Sequence, residues 1–302
     1  MRVLDKPGRM QRRIWGMLHL HIKYQLMIPA IVILGAVIAF PLLYSLYISF
    51  HEYLMITGLG DFIGLANYGQ AFLDQELLVS LLNTFKYTAA AVGLELLIAF
   101  GLALLLNRRN LRFRNVYMVI LMIPVLITPV AVGLIWKLIL HPRLGIANYL
   151  LGWLRIPPQG WFGDRHLAMP ALVAVDVWHE TSLILLILLA GLTNLPVEPL
   201  EAATVDGASS VKRFWHITLP LLKPVILVAV LIRLISCLKI YDLVYVCTRG
   251  GPGSRTQTMS YFVYRIAFRT LHMGQAAAVS YLLLGIILIF SLVFIKVLGR
   301  EA

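Results

Sequence analysis

Polar side chains stand out where they interrupt apolar runs, because burying one in hydrocarbon is costly unless a partner or a task holds it there. Two runs carry such groups in clusters. Residues 167–190 contain Asp176, Trp178, His179, Glu180, Thr181 and Ser182; residues 220–247 contain Arg233, Ser236, Lys239, Tyr241, Asp242 and Tyr245. A third run, 81–106, holds the carboxylate Glu95. Such groups could bind a metal, pair with one another, or line a path for a polar solute. The spacing gives catalysis no support. His179-Glu180 has no second His four residues on, so the HExxH arrangement of zinc proteases is absent, and there is no Cys-x-x-Cys pair. No G-x-x-x-x-G-K-[ST] run is present to cradle nucleotide phosphates. Three readings stay open: a solute path, a buried Asp176–Arg233 pair holding helices together, and contacts with a partner chain.

The elements that must position these groups are membrane helices. Of 302 residues, 60% are apolar and 13% charged, with mean hydropathy +0.84; soluble domains carry about 45–50% and about 25%. A spanning helix needs about 20 mostly apolar residues, and six stretches supply them: 26–50, 81–106, 115–140, 167–190, 220–247 and 275–298. The first follows a basic segment, 1–25. Its apolar run is longer than the about 7–15 residues of a signal-peptide core and lacks a small-residue cleavage site, so it reads as an anchor. Residues 299–302 are a short tail, and 26–298 read as one membrane domain. Pro41, Pro124, Pro129 and Pro224 predict kinks that neighbouring helices can accommodate. At about 1.5 Å per residue, Asp176 lies about 12 Å below the outer face. Arg233 lies about 20 Å above the inner face of a core about 30 Å thick, so the two depths coincide. The two cysteines, Cys237 and Cys247, are too few for a disulfide framework and read as packing residues.

A net charge of +12 invites a nucleic-acid reading, but its distribution points to a membrane bias. With the N-terminus inside, inner segments hold fifteen Lys and Arg: Arg2, Lys6, Arg9, Arg12, Arg13, Lys23, Arg108, Arg109, Arg112, Arg114, Lys212, Arg213, Lys223, Lys296 and Arg300. Outer segments hold seven. Both termini are therefore expected in the cytoplasm. Residues 51–80 carry Glu52, Asp61, Asp74 and Glu76 without Lys or Arg, which suits an outer face. The 141–166 connection, rich in Gly, Pro and Trp, reads as a short structured cap, and TRGGPGSRT (248–256) carries the strongest turn signal.

One polar interruption, EAATVDGASSVKRFWHITLP (201–220), falls on the inner side. A short helix lying on a membrane surface needs one apolar and one polar face. Leu200, Ala203 and Thr204 can pack toward the bundle, while Glu201, Ala202 and Val205 offer a small-residue surface to a partner. Asp206-Gly207 is a turn signal. A second short helix is expected from about Ser209 to Trp215, with Ser209 or Ser210 as N-cap, and Pro220 near the start of the next span.

This stretch resembles the cytoplasmic coupling loop of binding-protein-dependent ABC import permeases. In that pattern Glu-Ala-Ala is followed by Gly six residues after the Glu, then by Ile-x-Leu-Pro. Glu201, Ala202, Ala203, Gly207, Ile217, Leu219 and Pro220 fill those places, with Asp206 before the Gly. PLLYSLYISF (41–50), FIGLANY (62–68), NTFKYT (83–88), AGLTNLP (190–196) and YDLVYVCTRGGPGSRTQT (241–258) are similar to the carbohydrate-uptake branch. One departure is Arg249, where relatives usually have Gly.

The resemblance implies an all-α membrane protein with the six-helix type I importer permease fold, its coupling loop spanning 196–220, in a bacterial or archaeal cytoplasmic membrane. It implies a second, different permease, a cytoplasmic ATPase dimer that binds the ATP and Mg, and an extracytoplasmic binding protein that delivers a sugar, polyol or related solute. This chain is then expected to bind no cofactor, metal or nucleic acid and to catalyse nothing. Asp176, Trp178, Glu180, Thr181, Arg233, Ser236, Tyr241 and Tyr245 become candidates for the solute path, aromatic faces stacking on sugar rings and polar groups exchanging hydroxyl hydrogen bonds. The competing expectations are a self-contained carrier driven by an ion gradient, for which no internal repeat is evident, and a membrane scaffold that transports nothing.

Overall fold

The structure, a computed structural model, describes residues 9–108 and 111–298, with side chains described for 24–108 and 111–296. Arg2, Lys6, Arg109, Arg300 and the 299–302 tail lie outside the described residues. Helix α1 (Arg9–Ser49) begins within the expected basic segment and continues through the first apolar run. Its side chains from Leu26 to Leu43 are largely exposed, and it packs mainly along α12 (Met273–Leu298), where the Tyr281 hydroxyl donates to the Leu42 carbonyl at 2.5 Å.

The outer connection departs from an all-helical chain. Strands β1 (His51–Leu54) and β2 (Gly58–Phe62) form an antiparallel hairpin, with Leu54 opposite Gly58. Helix α2 (Ala66–Leu73) follows, and its buried Asn67 donates to the carbonyls of Ser49 and His51, both at 2.9 Å. Gly274 explains how closely this corner meets α12. A Cβ there would lie 2.4 Å from the His51 carbonyl oxygen, so only glycine fits.

Helix α3 (Gln75–Leu106) is N-capped by Asp74, whose carboxylate accepts from the Glu76 N–H at 2.8 Å. Tyr87, Ala91, Glu95, Ala99 and Ala103 recur every four residues, and all are fully buried. This seam of mostly small side chains lets α7 (Ala168–Thr193) and α10 (Leu219–Leu238) come close, as small residues do between membrane helices. The three helices form the core, and Glu95 sits midway along their contact.

The third expected span, 115–140, is broken. Residues 114–126, comprising α4 (Arg114–Met122) and a 3-10 turn over Pro124–Leu126, meet α5 (Pro129–Ile139) at 100°. Pro129 lacks a donor and forces Thr128 before it into an extended conformation (φ −66°, ψ 145°). The carbonyls freed there are met from α7: Ser182 Oγ donates to Leu121 O at 2.5 Å, and His179 Nε2 bonds Ile127 O at 2.9 Å. The described residues thus contain five helices long and apolar enough to span a membrane, or six if the bent pair counts as one.

Helix α6 (Ile146–Trp153) lies in the 141–166 connection, which Asn148 organises. Its amide donates to the carbonyls of Pro142 and Gln159 and accepts from Gln159 N–H and Trp161 Nε1–H. The fifth expected span, 220–247, shifts inward. Its helix ends at Leu238 and is followed by an irregular stretch and a π turn over Val244–Thr248. Arg249 then takes the left-handed conformation (φ 51°), which glycine adopts without strain. Asn83 fastens this turn to α3, donating to the carbonyls of Ser254 (2.8 Å) and Gln257 (3.1 Å). Helix α11 (Met259–Phe268) follows and leads into α12.

Candidate functional site

Between α7 and α10 in the chain, α8 (Val197–Val205) carries the Glu-Ala-Ala sequence. Ala203 is buried and Leu200 half-buried, whereas Glu201, Ala202 and Val205 are exposed, Val205 at 88%. Thr204, expected to face the bundle, is exposed and instead accepts from Arg213 Nη1 at 2.6 Å. The helix ends in a Schellman motif. Ala208 N–H donates to Ala203 O at 2.9 Å and Gly207 N–H to Thr204 O at 3.1 Å, with Gly207 at φ +73°. Glycine takes that conformation without the steric cost other residues meet, so the spacing of Gly207 from Glu201 sets the length of the helix.

Ser209 then caps a short helix, α9 (Ser210–Arg213), its Oγ accepting from Lys212 N–H at 3.4 Å. The expected separate helix to Trp215 is not seen. Residues 214–218 form a π turn, with Ile217 half-buried, and pass directly into α10, so Ser210–Leu238 is one continuous helix. Leu219 and Pro220 occupy the first turn of α10, where a missing N–H is tolerated once a preceding turn supplies the geometry. Arg213 bonded to Thr204 ties the two arms together. Phe214 meets Phe100 of α3 edge-on at 5.5 Å. The arm of α8 thus meets α9 through Arg213, and the turn that follows meets α3 through Phe214.

Halfway along α10, Arg233 is 3% exposed. Its Nε and Nη2 donate to the two carboxylate oxygens of Glu95 at 2.7 and 2.6 Å, and Nη2 also donates to Asp176 Oδ2 at 2.7 Å. Glu180 stands 3.5 Å from Nη1. The buried Asp176–Arg233 pair foreseen as one alternative is present, with Glu95 as its third member. His179 contacts Glu180 through Nδ1 at 3.2 Å and the Ile127 carbonyl through Nε2. Both ring nitrogens face oxygen acceptors, the arrangement of an imidazolium or of a protonated Glu180. Three carboxylates thus surround one guanidinium and one imidazole.

The remaining candidates fall elsewhere. Trp178 and Thr181 lie on another face of α7, where they line an apolar cavity of about 1000 Å³ with Lys86, Leu94, Ile120 and Pro124. Thr181 Oγ1 is buried there without a hydrogen-bond partner among the described residues. Ser236 is half-buried on α10. Tyr241 and Tyr245 stack at 5.4 Å beyond the outer end of α10. They are joined by Tyr261 and Tyr264 of α11, which lie beyond the 248–256 turn signal and carry no motif of their own.

Comparisons with known proteins agree with this architecture. The trehalose/maltose transport system permease protein MalF of Thermococcus litoralis is 35% identical over 280 residues, 92% of this chain and 93% of that protein. The sulfoquinovosyl glycerol transport system permease protein SmoG of Agrobacterium fabrum is 33% identical over 279 residues, covering 91% and 90%. A chain of a bacterial ABC transporter involved in the import of the acidic polysaccharide alginate superposes with a TM-score of 0.82 at 19% identity, covering 95% of this chain and 99% of that one; the two share the type I importer permease fold. Residues 95–298 match the family described as binding-protein-dependent transport system inner membrane component. By that match and by the relatives' identity along nearly its whole length, this chain belongs to the family of multi-pass permease components of ABC transporters.

Proposed function

We propose that this chain is the membrane-spanning subunit of an ABC importer for a carbohydrate or related solute. It pairs with a second permease, receives solute from an extracytoplasmic binding protein, and is driven by a separate ATPase dimer at the cytoplasmic face of the inner membrane, where both termini lie. The carrying observation is the exposed face of α8. Glu201, Ala202 and Val205 are exposed on a helix that Arg213 of α9, which runs on into α10, ties at Thr204. An exposed small-residue helix tied to a spanning helix suits a docking lever more than a passive connection. The sugar-named relatives support a carbohydrate. An alginate transporter solved with an oligosaccharide-bound periplasmic protein supports the binding protein.

In this reading Glu95, Asp176 and Arg233 fasten the wall of the path, and Glu180, Ser236, Tyr241 and Tyr245 remain available to solute, with Trp178 and Thr181 on the cavity side. ATP and Mg belong to the ATPase, and this chain carries no catalytic residue. A cysteine at Val205 tests the docking face, because both native cysteines are buried. Val205→Cys should crosslink to an ATPase subunit in membranes. Reaction with soluble thiol reagents alone, with no protein adduct, would argue against it.

A further inference from the structure

The outer end of α10 carries more aromatic surface than packing requires. Ring centres of Tyr241, Tyr245 and Tyr264 lie 5.3–5.4 Å apart in all three pairings. Tyr261 stands 5.9 Å from Tyr264, and the exposed Phe268 extends the row 5.4 Å beyond it. Positions 261, 264 and 268 share one face of α11, while Tyr241 and Tyr245 are one turn apart on the stretch that follows α10. Two separate elements thus build one patch of rings.

The phenol oxygens of the four tyrosines are unclaimed. None is hydrogen-bonded among the described residues, and none is among the buried oxygens that lack a partner, so they open to the surroundings. A row of isolated interfacial tyrosines would spread along the lipid boundary. Here the rings close on one another, Tyr261 is buried, and Tyr241, Tyr245 and Tyr264 are half-buried against the core. Helix α10 has 20 residues, about 30 Å at about 1.5 Å each, which puts the patch at the outer mouth. Arg233 lies two turns inside it. Tyrosines give large, rigid contact area with a polar handle. The C–H face of a sugar ring matches the ring faces, and its hydroxyls match the phenols.

We propose that Tyr241, Tyr245, Tyr261 and Tyr264 form a ledge that receives a carbohydrate ring as it enters this chain. The proposal rests on the reading of the chain as a carbohydrate importer subunit.

The test is uptake of labelled maltose, trehalose and arabinose oligosaccharides by cells carrying the whole transporter. Tyr241→Leu with Tyr264→Leu is expected to raise KM about tenfold for the sugar that wild type takes up, about 1.4 kcal/mol. The matching Phe pair, which keeps the rings, should fall between. Tyr264→Trp, with a larger ring, should lower KM, and this arm holds even if the Leu pair fails to assemble. Unchanged KM in the Leu and Trp variants, with sugar uptake by wild type intact, overturns the ledge and leaves the importer reading standing. Wild type that takes up none of these sugars, and whose ATPase no loaded binding protein stimulates, overturns the importer reading and the ledge with it.

Discussion

Arg233 on α10 and Glu95 on α3 meet as a two-point fork, Nε to Oε2 at 2.7 Å and Nη2 to Oε1 at 2.6 Å, with both side chains buried in the middle of the bundle. Asp176 of α7 shares the same guanidinium. Charges placed this deep hold only as a set, since removing one leaves the others unpaired in a medium that cannot solvate them. Arg233→Met should therefore destabilise the chain by about 3–5 kcal/mol. Adding Glu95→Gln and Asp176→Asn should recover much of the loss. Thermal unfolding of the detergent-solubilised complex measures both. An Arg233→Met variant as stable as wild type would show that the fork does not hold the helices.

The coupling-loop prediction turns on backbone geometry. Gly207→Pro cannot reach φ +73°, because proline is fixed near −65°. It should abolish uptake while the protein still inserts. Gly207→Ala meets open space and bears only the left-handed strain of about 1–2 kcal/mol, so partial uptake is expected. Glu201→Lys should also abolish uptake and leave ATP hydrolysis uncoupled from solute. Uptake assays beside membrane quantification check each variant, and normal uptake in both Gly207→Pro and Glu201→Lys would contradict a docking role.

How much of this was legible without coordinates differs between the two sites. The inner loop is local: its Glu, Gly and Pro are spaced by helix lengths and turn chemistry, so a linear reading finds them. Pro220 stands in the first turn of α10 as its position predicts, whereas Thr204 is exposed instead of facing the bundle and the short helix to Trp215 runs on through a π turn into α10. The polar cluster is nonlocal. Depth arithmetic brought Asp176 and Arg233 to one level. Adding Glu95 required the four-residue seam from Tyr87 to Ala103, a periodicity present in the sequence but submerged in a uniformly apolar run. His179 satisfies the Ile127 carbonyl beside the Thr128–Pro129 break, and Ser182 the Leu121 carbonyl ahead of Pro124. The prolines announced that break, but its partners depend on the packing of α7.

Arg249 stores backbone strain that a glycine at this position would avoid. At φ 51° an arginine bears a cost of about 1–2 kcal/mol that glycine does not. Glycine gives back part of this through unfolded-chain entropy, leaving a net gain of about 0.5–1 kcal/mol for Arg249→Gly. A raised unfolding midpoint checks it. A lowered one would mean that the arginine side chain makes a compensating contact, such as one with the binding protein's side of the complex.

Asp164 supplies a pH-dependent element in the 141–166 connection. The backbone N–H groups of His166 and Leu167 donate to its Oδ1 at 2.7 and 3.0 Å and hold its carboxyl below the ordinary range. A depressed carboxylate contributes stability that is present above its unfolded pKa and lost as pH falls through the folded value. The difference between wild type and Asp164→Asn should therefore be constant from pH 7 to about 5 and shrink below about 4. Unfolding midpoints measured across that range check the sign. A difference that grows as pH falls would contradict it.

The central claim is that a separate motor drives this chain to move a delivered carbohydrate. The most direct measurement is the ATPase rate of the complex purified through a tag on this chain, with and without binding proteins loaded with single sugars. The account predicts that an ATPase co-purifies and that its turnover rises with one loaded binding protein, which would also name the solute. Recovery of this chain without any ATPase, under conditions mild enough to keep membrane complexes intact and with solute uptake that collapses with the ion gradient, would contradict it.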